Sequence, residues 1–229
     1  PEYQNTGFKY REKMTFTKAE PYDHFQVVGA TVFGFTKQVA YDTPLDYLFV
    51  DEASQVAMAN LVVATGAARN IILMGDQMQL EQPIQGTHPG DSGMSALNFM
   101  LGDHAVIPED RGIFLERTYR MHPNVCEPLS EVIYEGKLQA DAPNKNQAIL
   151  LENRALITKE SGILTIWLDH DGNTQSSEEE AAIVNALLQE LKSGRFRNKK
   201  SEVAAISLEE DVLVVAPYNM QVNLLKERL

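Results

Sequence analysis

Two carboxylates, Asp51 and Glu52, follow directly on the apolar run Tyr47 to Val50. An acid at a strand tip can hold Mg²⁺ through water, and an adjacent Glu facing the other side of the crevice can polarise an attacking water. The same pair also reads as two solvated acids ahead of a helix, where negative charge is favoured. A second apolar run ends in Gly75-Asp76-Gln77-Met78-Gln79-Leu80, which puts Asp76 twenty-five residues after Asp51. That places a flexible glycine, a carboxylate and an amide able to sense a terminal phosphate at one tip; the plain alternative is a polar turn. The third cluster, Leu115 to Pro123, contains Arg117, Tyr119 and Arg120. Arginine answers developing phosphate charge and tyrosine stacks on a base, whereas a solvated arginine pair would do neither.

These clusters need elements to position them. Unbroken apolar runs at Phe25 to Val32, Tyr47 to Val50, Asn70 to Met74, Ile163 to Leu168 and Val212 to Ala216, with a weaker one at Gly112 to Leu115, read as strands. Because they do not alternate, they predict strands covered on both faces, as in a parallel sheet between helices. Ligands of such sheets bind beyond the carboxyl ends of the strands, where the first two clusters stand. Gln55 to Ala68 has the length and composition of a crossover helix, so its flanking strands should run parallel. Ser177 and Glu180 form a capping box ahead of Ala181 to Lys192, and Gly194 follows as a stop, which predicts a helix over 178–192. Glu81 to Ser92 reads as a loop and Gln139 to Lys145 as a polar break. The turn from Pro108 to Gly112 predicts a domain boundary within 108–114.

Composition sets the outer limits. The 229 residues are 44% hydrophobic and 23% charged, the balance of a folded protein rather than a disordered or fibrous one. A single cysteine, Cys126, excludes an intrachain disulfide, and no apolar run approaches membrane-spanning length. The expectation is a soluble, cytoplasmic chain. Twenty basic against thirty-two acidic residues give a net charge of −12, which argues against nucleic-acid binding by overall charge but not against a local positive groove.

Taken together and in order, the three clusters resemble superfamily 1 helicases of the nonsense-mediated-decay and nuclease-fused replication-helicase type. Asp51-Glu52-Ala53-Ser54-Gln55 resembles helicase motif II, the Walker B site. Gly75 to Pro83 resembles motif III, with one residue more before the proline than the family usually has, and Tyr119 to Pro123 resembles motif IV. Ala30-Thr31, Ile133 to Leu138 and Val215 to Gln221, a Pro-Tyr-x-x-Gln segment, are weaker matches. Gln85 to Pro89, with Ser95 to Leu97, looks most like a bacterial branch whose members carry a RecB-like nuclease domain.

The resemblance implies an α/β fold, parallel sheets flanked by helices, in parts of two RecA-like P-loop NTPase domains. Residues 1–110 would be the later part of the first and 111–229 the early part of the second. The implied cofactors are ATP and Mg²⁺: Asp51 holds Mg²⁺, Glu52 activates water, Asp76 and Gln79 lie at the nucleotide with Gln79 coupling the γ-phosphate to movement, Tyr119 lies by the adenine, and Arg120 reaches the γ-phosphate from the second domain. Thr31, Tyr218 and Gln221 would face a single strand of nucleic acid, DNA or RNA, with DNA the favoured of the two. No membrane partner is implied, and a RecB-like nuclease domain could share the parent chain. The implied activity is ATP-driven movement along that strand, with two domains closing on ATP and opening after hydrolysis.

Some expected parts are absent and some apparent sites are coincidences. No Gly-x-x-x-x-Gly-Lys-Ser/Thr run occurs; Gly29 to Thr36 has the glycine spacing but Phe35 stands in the lysine position. The expectation is a middle piece of a longer protein that alone neither binds ATP tightly nor unwinds anything. Asp169 to Asn173 with Glu180 imitates a calcium loop, yet Thr174 stands where glycine is required, so an Asp-Gly turn is the better reading. His122 and Cys126 lack a second ligand pair for zinc. Competing readings are a helicase-like binding module without turnover and an unrelated Mg²⁺-dependent phosphotransferase using Asp51 and Asp76.

Overall fold

The computed structural model describes residues 27–36, 38–79, 88–102 and 104–229. The chain divides into two compact units that meet in sequence at Pro108 and Glu109.

In the first unit, α1 (Gln38–Asp42) precedes β1 (Leu45–Val50), α2 (Met58–Thr65), β2 (Ala68–Leu73) and α3 (Ala96–Leu101). β1 and β2 pair in parallel, Leu45 opposite Ala68 and Val50 opposite Leu73, as the intervening helical stretch predicts. The helix is shorter than the predicted Gln55 to Ala68. Backbone groups ahead of it are claimed from outside: the Met58 N–H donates to the Met94 carbonyl and the Ala96 N–H to the Val56 carbonyl, both at 2.8 Å.

Leu48 and Val50 of β1 enter a core with Ala53, Leu61, Ala64, Ala67, Ala96, Leu97 and Leu101. Tyr47 and Phe49 point the other way and are more than half exposed. Among the described residues the helices of this unit pack on the Leu48 and Val50 face of β1, where the unbroken run predicts cover on both, and the burial of the strand alternates accordingly. The expected strand from Phe25 to Val32 is corrected within the described residues. Val27 to Thr31 is irregular and Val32–Thr36 forms a 3-10 turn; Phe25 and Gln26 lie outside the described residues, as do residues 81–87 of the predicted loop.

The second unit opens on a small parallel crossover: β3 (Arg117–Thr118), α4 (Pro123–Ile133), then β4 (Gln139–Ala140), with Arg117 opposite Gln139. The imidazole of His122 caps α4, Nδ1 accepting the Asn124 N–H at 3.0 Å, and Pro123 occupies the first turn where its missing N–H is no loss. β5 (Ala148–Leu150), β6 (Arg195–Arg197) and β7 (Val203–Ala205) form an antiparallel sheet in that order. α5 (Glu178–Lys192) has the predicted bounds, and α6 (Asn219–Arg228) ends the chain.

Three apolar runs read as strands carry no ladder here: Gly112 to Leu115, Ile163 to Leu168 and Val212 to Ala216. Trp167 is 90% and Leu213 86% exposed. Hydrophobicity favours extended backbone, but a strand also needs a neighbour for its N–H and C=O groups, and among the described residues none pairs with these runs. Cys126 is buried with its thiol directed at the Leu138 carbonyl, 3.6 Å away. Burial first, and the charge of Glu127 second, push that thiol above its ordinary range, which disfavours the thiolate.

Candidate functional site

At the tips of β1 and β2 the backbone interlocks. The Met74 N–H donates to the Val50 carbonyl at 2.8 Å and the Ala53 N–H to the Met74 carbonyl at 2.9 Å. Gly75 is the reason the second chain can pass so close. A Cβ there would stand 2.9 Å from the Ala53 nitrogen and 3.2 Å from that of Ser54. Between these contacts the chain turns at Glu52, whose backbone is left-handed (φ 52°, ψ 44°). A glutamate rarely adopts this conformation, and such outliers cluster at functional sites. Oδ1 of Asp51 accepts the Glu52 N–H at 3.0 Å, and the Glu52 carbonyl accepts the Gln55 N–H at 2.8 Å. Both carboxylates remain exposed.

Asp76 organises the neighbouring tip. Its Oδ1 accepts the Met78 N–H at 3.0 Å, and its Oδ2 accepts the Gln79 side-chain amide at 3.3 Å. Asp51, Glu52, Asp76 and Gln79 thus stand on two adjacent strand ends. Among the described residues no three acidic, His or Cys side chains converge as a metal cage. One or two carboxylate oxygens are nevertheless the donor set Mg²⁺ uses when phosphates and water supply its remaining ligands. The exposed carboxylates at these tips are of the type that mode requires.

In the second unit, β3 runs into the turn that carries Tyr119 and Arg120. Thr118 Oγ1 accepts the N–H groups of Arg120 (3.3 Å) and Met121 (3.5 Å). The buried amide of Asn144 donates to the carbonyls of Thr118 (3.2 Å) and Met121 (2.9 Å). Tyr119 is 65% exposed and Arg120 is exposed, so a fixed backbone presents two outward side chains. Both ring nitrogens of His122 are engaged, Nδ1 by the Asn124 N–H and Nε2 at 3.3 Å from the Lys145 carbonyl. Asn144 was not legible as a site residue, since it lies in a stretch whose composition reads as a polar break.

Thr31 is exposed, and Tyr218, half exposed, precedes α6. Gln221 takes a different place from the strand-facing one expected of it. It is 5% exposed. Its Oε1 accepts the Ser177 N–H at 2.7 Å and its Nε2 donates to the Ser177 carbonyl at 3.2 Å, which fastens α6 to the start of α5. An amide matches a backbone peptide as well as it matches a base edge, and here the peptide takes it.

The clip also alters the predicted capping box. Ser177 Oγ accepts the Glu180 N–H at 3.1 Å, but the Ser177 N–H goes to Gln221 instead of returning to Glu180. The neighbouring Glu179 carboxylate accepts from Asn173 and from Ser177 Oγ, both at 2.9 Å, which closes the Asp-Gly turn expected in place of a calcium loop. Its own backbone N–H first, and then these two donors, hold the Glu179 carboxyl below the usual glutamate range. A depressed folded-state pKa stabilises the fold above the usual glutamate value, and that contribution disappears as pH falls through the folded value. The urea midpoint of Glu179→Gln is therefore expected below that of the parent at neutral pH, with the two converging at acid pH. A gap independent of pH would remove this role from the carboxylate.

A family model described as an AAA domain matches residues 95–229, more than half of the chain. The DNA polymerase alpha-associated DNA helicase A of Schizosaccharomyces pombe is 28% identical over 96% of this chain and 33% of its own length. The DNA replication ATP-dependent helicase/nuclease JHS1 of Arabidopsis thaliana is 22% identical over 90% of this chain and 16% of its own. The corresponding helicase/nuclease DNA2 of Gallus gallus is 25% identical over 56% of this chain and 13% of its own. The chain thus spans a third or less of the length of these relatives. Among the described residues no helix is long and apolar enough to cross a membrane. With the acid pair and the arginine turn set on an α/β scaffold, and with the domain match covering the second unit entire, the chain belongs to the AAA-domain family of superfamily 1 helicases.

Proposed function

We propose that the protein to which this chain belongs is an ATP-dependent helicase that couples hydrolysis to movement along single-stranded nucleic acid, DNA in preference to RNA, inside the cell. The observation that carries this reading is the left-handed Glu52 directly after Asp51, locked against the Gly75 tip of the adjacent strand. Asp51 would hold Mg²⁺, which when bound neutralises phosphate oxygens. Glu52 takes the proton of the attacking water. Asp76 restrains Gln79, whose amide reports the terminal phosphate. Arg120 supplies fixed charge to the phosphate as negative charge develops on it, and Tyr119 stacks on the adenine. Thr31 and Tyr218 contact the strand through backbone and stacking, so preference for base sequence is weak. The two units are proposed as parts of two RecA-like domains, and the helicase/nuclease relatives favour a nuclease in the same parent chain.

The test is ATP hydrolysis by the full-length protein with and without single-stranded DNA or RNA. Turnover raised by DNA more than by RNA supports the reading. Absence of turnover with strand binding retained leaves a helicase-shaped binding module instead.

A further inference from the structure

Asn144 is fully buried, yet its role is polar. Both hydrogens of its amide are engaged on the carbonyls of Thr118 and Met121, the two that bracket Tyr119 and Arg120. Its Oδ1 has no partner among the described residues, an unfavourable condition for a buried acceptor. A leucine or alanine would avoid that penalty, so the two donated bonds are what the amide contributes at this position. The orientation of the amide follows from its surroundings, because two carbonyl oxygens can only accept. The segment around it forms a mould for the arginine turn. The Asp141 N–H donates to the same Thr118 carbonyl at 2.9 Å, the Asn144 N–H returns to the Asp141 carbonyl at 2.9 Å, and the Lys145 carbonyl meets His122.

We infer that Asn144 is a positioning residue for Arg120: its amide holds the Thr118–Met121 turn so that the guanidinium is presented in one place. The inference rests on the proposed role of Arg120 at the phosphate. The Arg120 side chain is exposed, whereas the backbone that carries it is held twice over, by Thr118 Oγ1 on the N–H groups of Arg120 and Met121 and by Asn144 on the flanking carbonyls of Thr118 and Met121. Electrostatic stabilisation works through charges already in place, and a displacement of about 1 Å can lower a rate about 100-fold. Asn144 itself does not meet the nucleotide.

The test compares Asn144→Ala, Asn144→Asp, Thr118→Val, Arg120→Ala and the double variant Asn144→Ala/Arg120→Ala in the full-length protein. Aspartate keeps the shape of asparagine but turns oxygens toward the two carbonyls. Thr118→Val loosens the same turn from its outer side and decides the matter if the Asn144 variants do not fold. Three readouts apply: kcat and KM for ATP, affinity for ADP–aluminium fluoride relative to ADP, and amide hydrogen exchange at Arg120 and Met121 without nucleotide. The expected result is a kcat lowered about 10- to 100-fold with KM little changed. The preference for the fluoride complex should shrink in parallel, and exchange at the two amides should accelerate. The kcat loss should vanish in the Arg120→Ala background, because a purely structural defect would add to that change instead. Losses that add fully, or faster exchange with kcat intact, overturn the inference alone. An Arg120→Ala variant with normal turnover overturns the role of Arg120 and the inference with it.

Discussion

Glu52→Gln in the full-length protein is expected to lower strand-stimulated ATP turnover by about 10²- to 10⁴-fold, the usual contribution of a general base, while ATP and strand affinity stay within a few-fold. The substitution keeps shape and hydrogen-bonding reach and removes only the ability to take a proton. Stability should change little, because the carboxylate is exposed and makes none of the contacts that fix its backbone. Those contacts are local and complete. Asp51 Oδ1 holds the Glu52 N–H, Gln55 holds its carbonyl, and the next residue is tied to Met74, just past the end of β2. Left-handed backbone at a non-glycine residue is unfavourable by about 1–3 kcal/mol and persists only where neighbours over-determine it. Single-turnover hydrolysis beside nucleotide-binding titrations checks the result. Turnover within about three-fold of the parent would assign the proton to another group and reduce the acid pair to a solvated helix entry.

The parts of this arrangement that were legible share a property. Asp51, Glu52, Asp76 and Gln79 follow strand runs directly, so one-dimensional order already puts them at adjacent tips, and the β1–α2–β2 crossover makes that order parallel. Ser177 was legible because a cap acts within one turn of its own helix. What escaped depends on distant chain. The extended runs at 112–115, 163–168 and 212–216 have strand composition, but pairing is decided by a neighbour and not by composition. Asn144 reaches back 23 and 26 residues to Met121 and Thr118 from among Ala142, Pro143, Lys145 and Asn146, a setting that reads as solvent-exposed. Gln221 spans 44 residues to Ser177, and nothing in a Pro-Tyr-x-x-Gln segment says whether its amide meets a base or a peptide group. Burial of an amide is a property of what packs over it.

Gly75→Ala carries the second large effect, and it bears on stability and turnover together. The added methyl would stand 2.9 Å from the Ala53 nitrogen and 3.2 Å from the Ser54 nitrogen. Both obstacles are backbone, so no rotamer change relieves them. Ala53 cannot retreat either, since its side chain is fully buried in the core with Leu48 and Val50 and its N–H is bonded to Met74. The strand tips must separate, at about 1–3 kcal/mol by the usual penalty for overpacking. Denaturant unfolding should register that loss. Gly29→Ala, with nothing within 4 Å of the added methyl, should stay within about 0.5 kcal/mol. Separation of the tips also releases Glu52 from the contacts that impose its conformation, so kcat should fall further than stability alone accounts for at temperatures where the variant remains folded. A variant of normal stability would mean that the tips are free to move apart. Lost stability with normal kcat would mean that hydrolysis does not require the Glu52 backbone to be held where β1 and β2 now hold it.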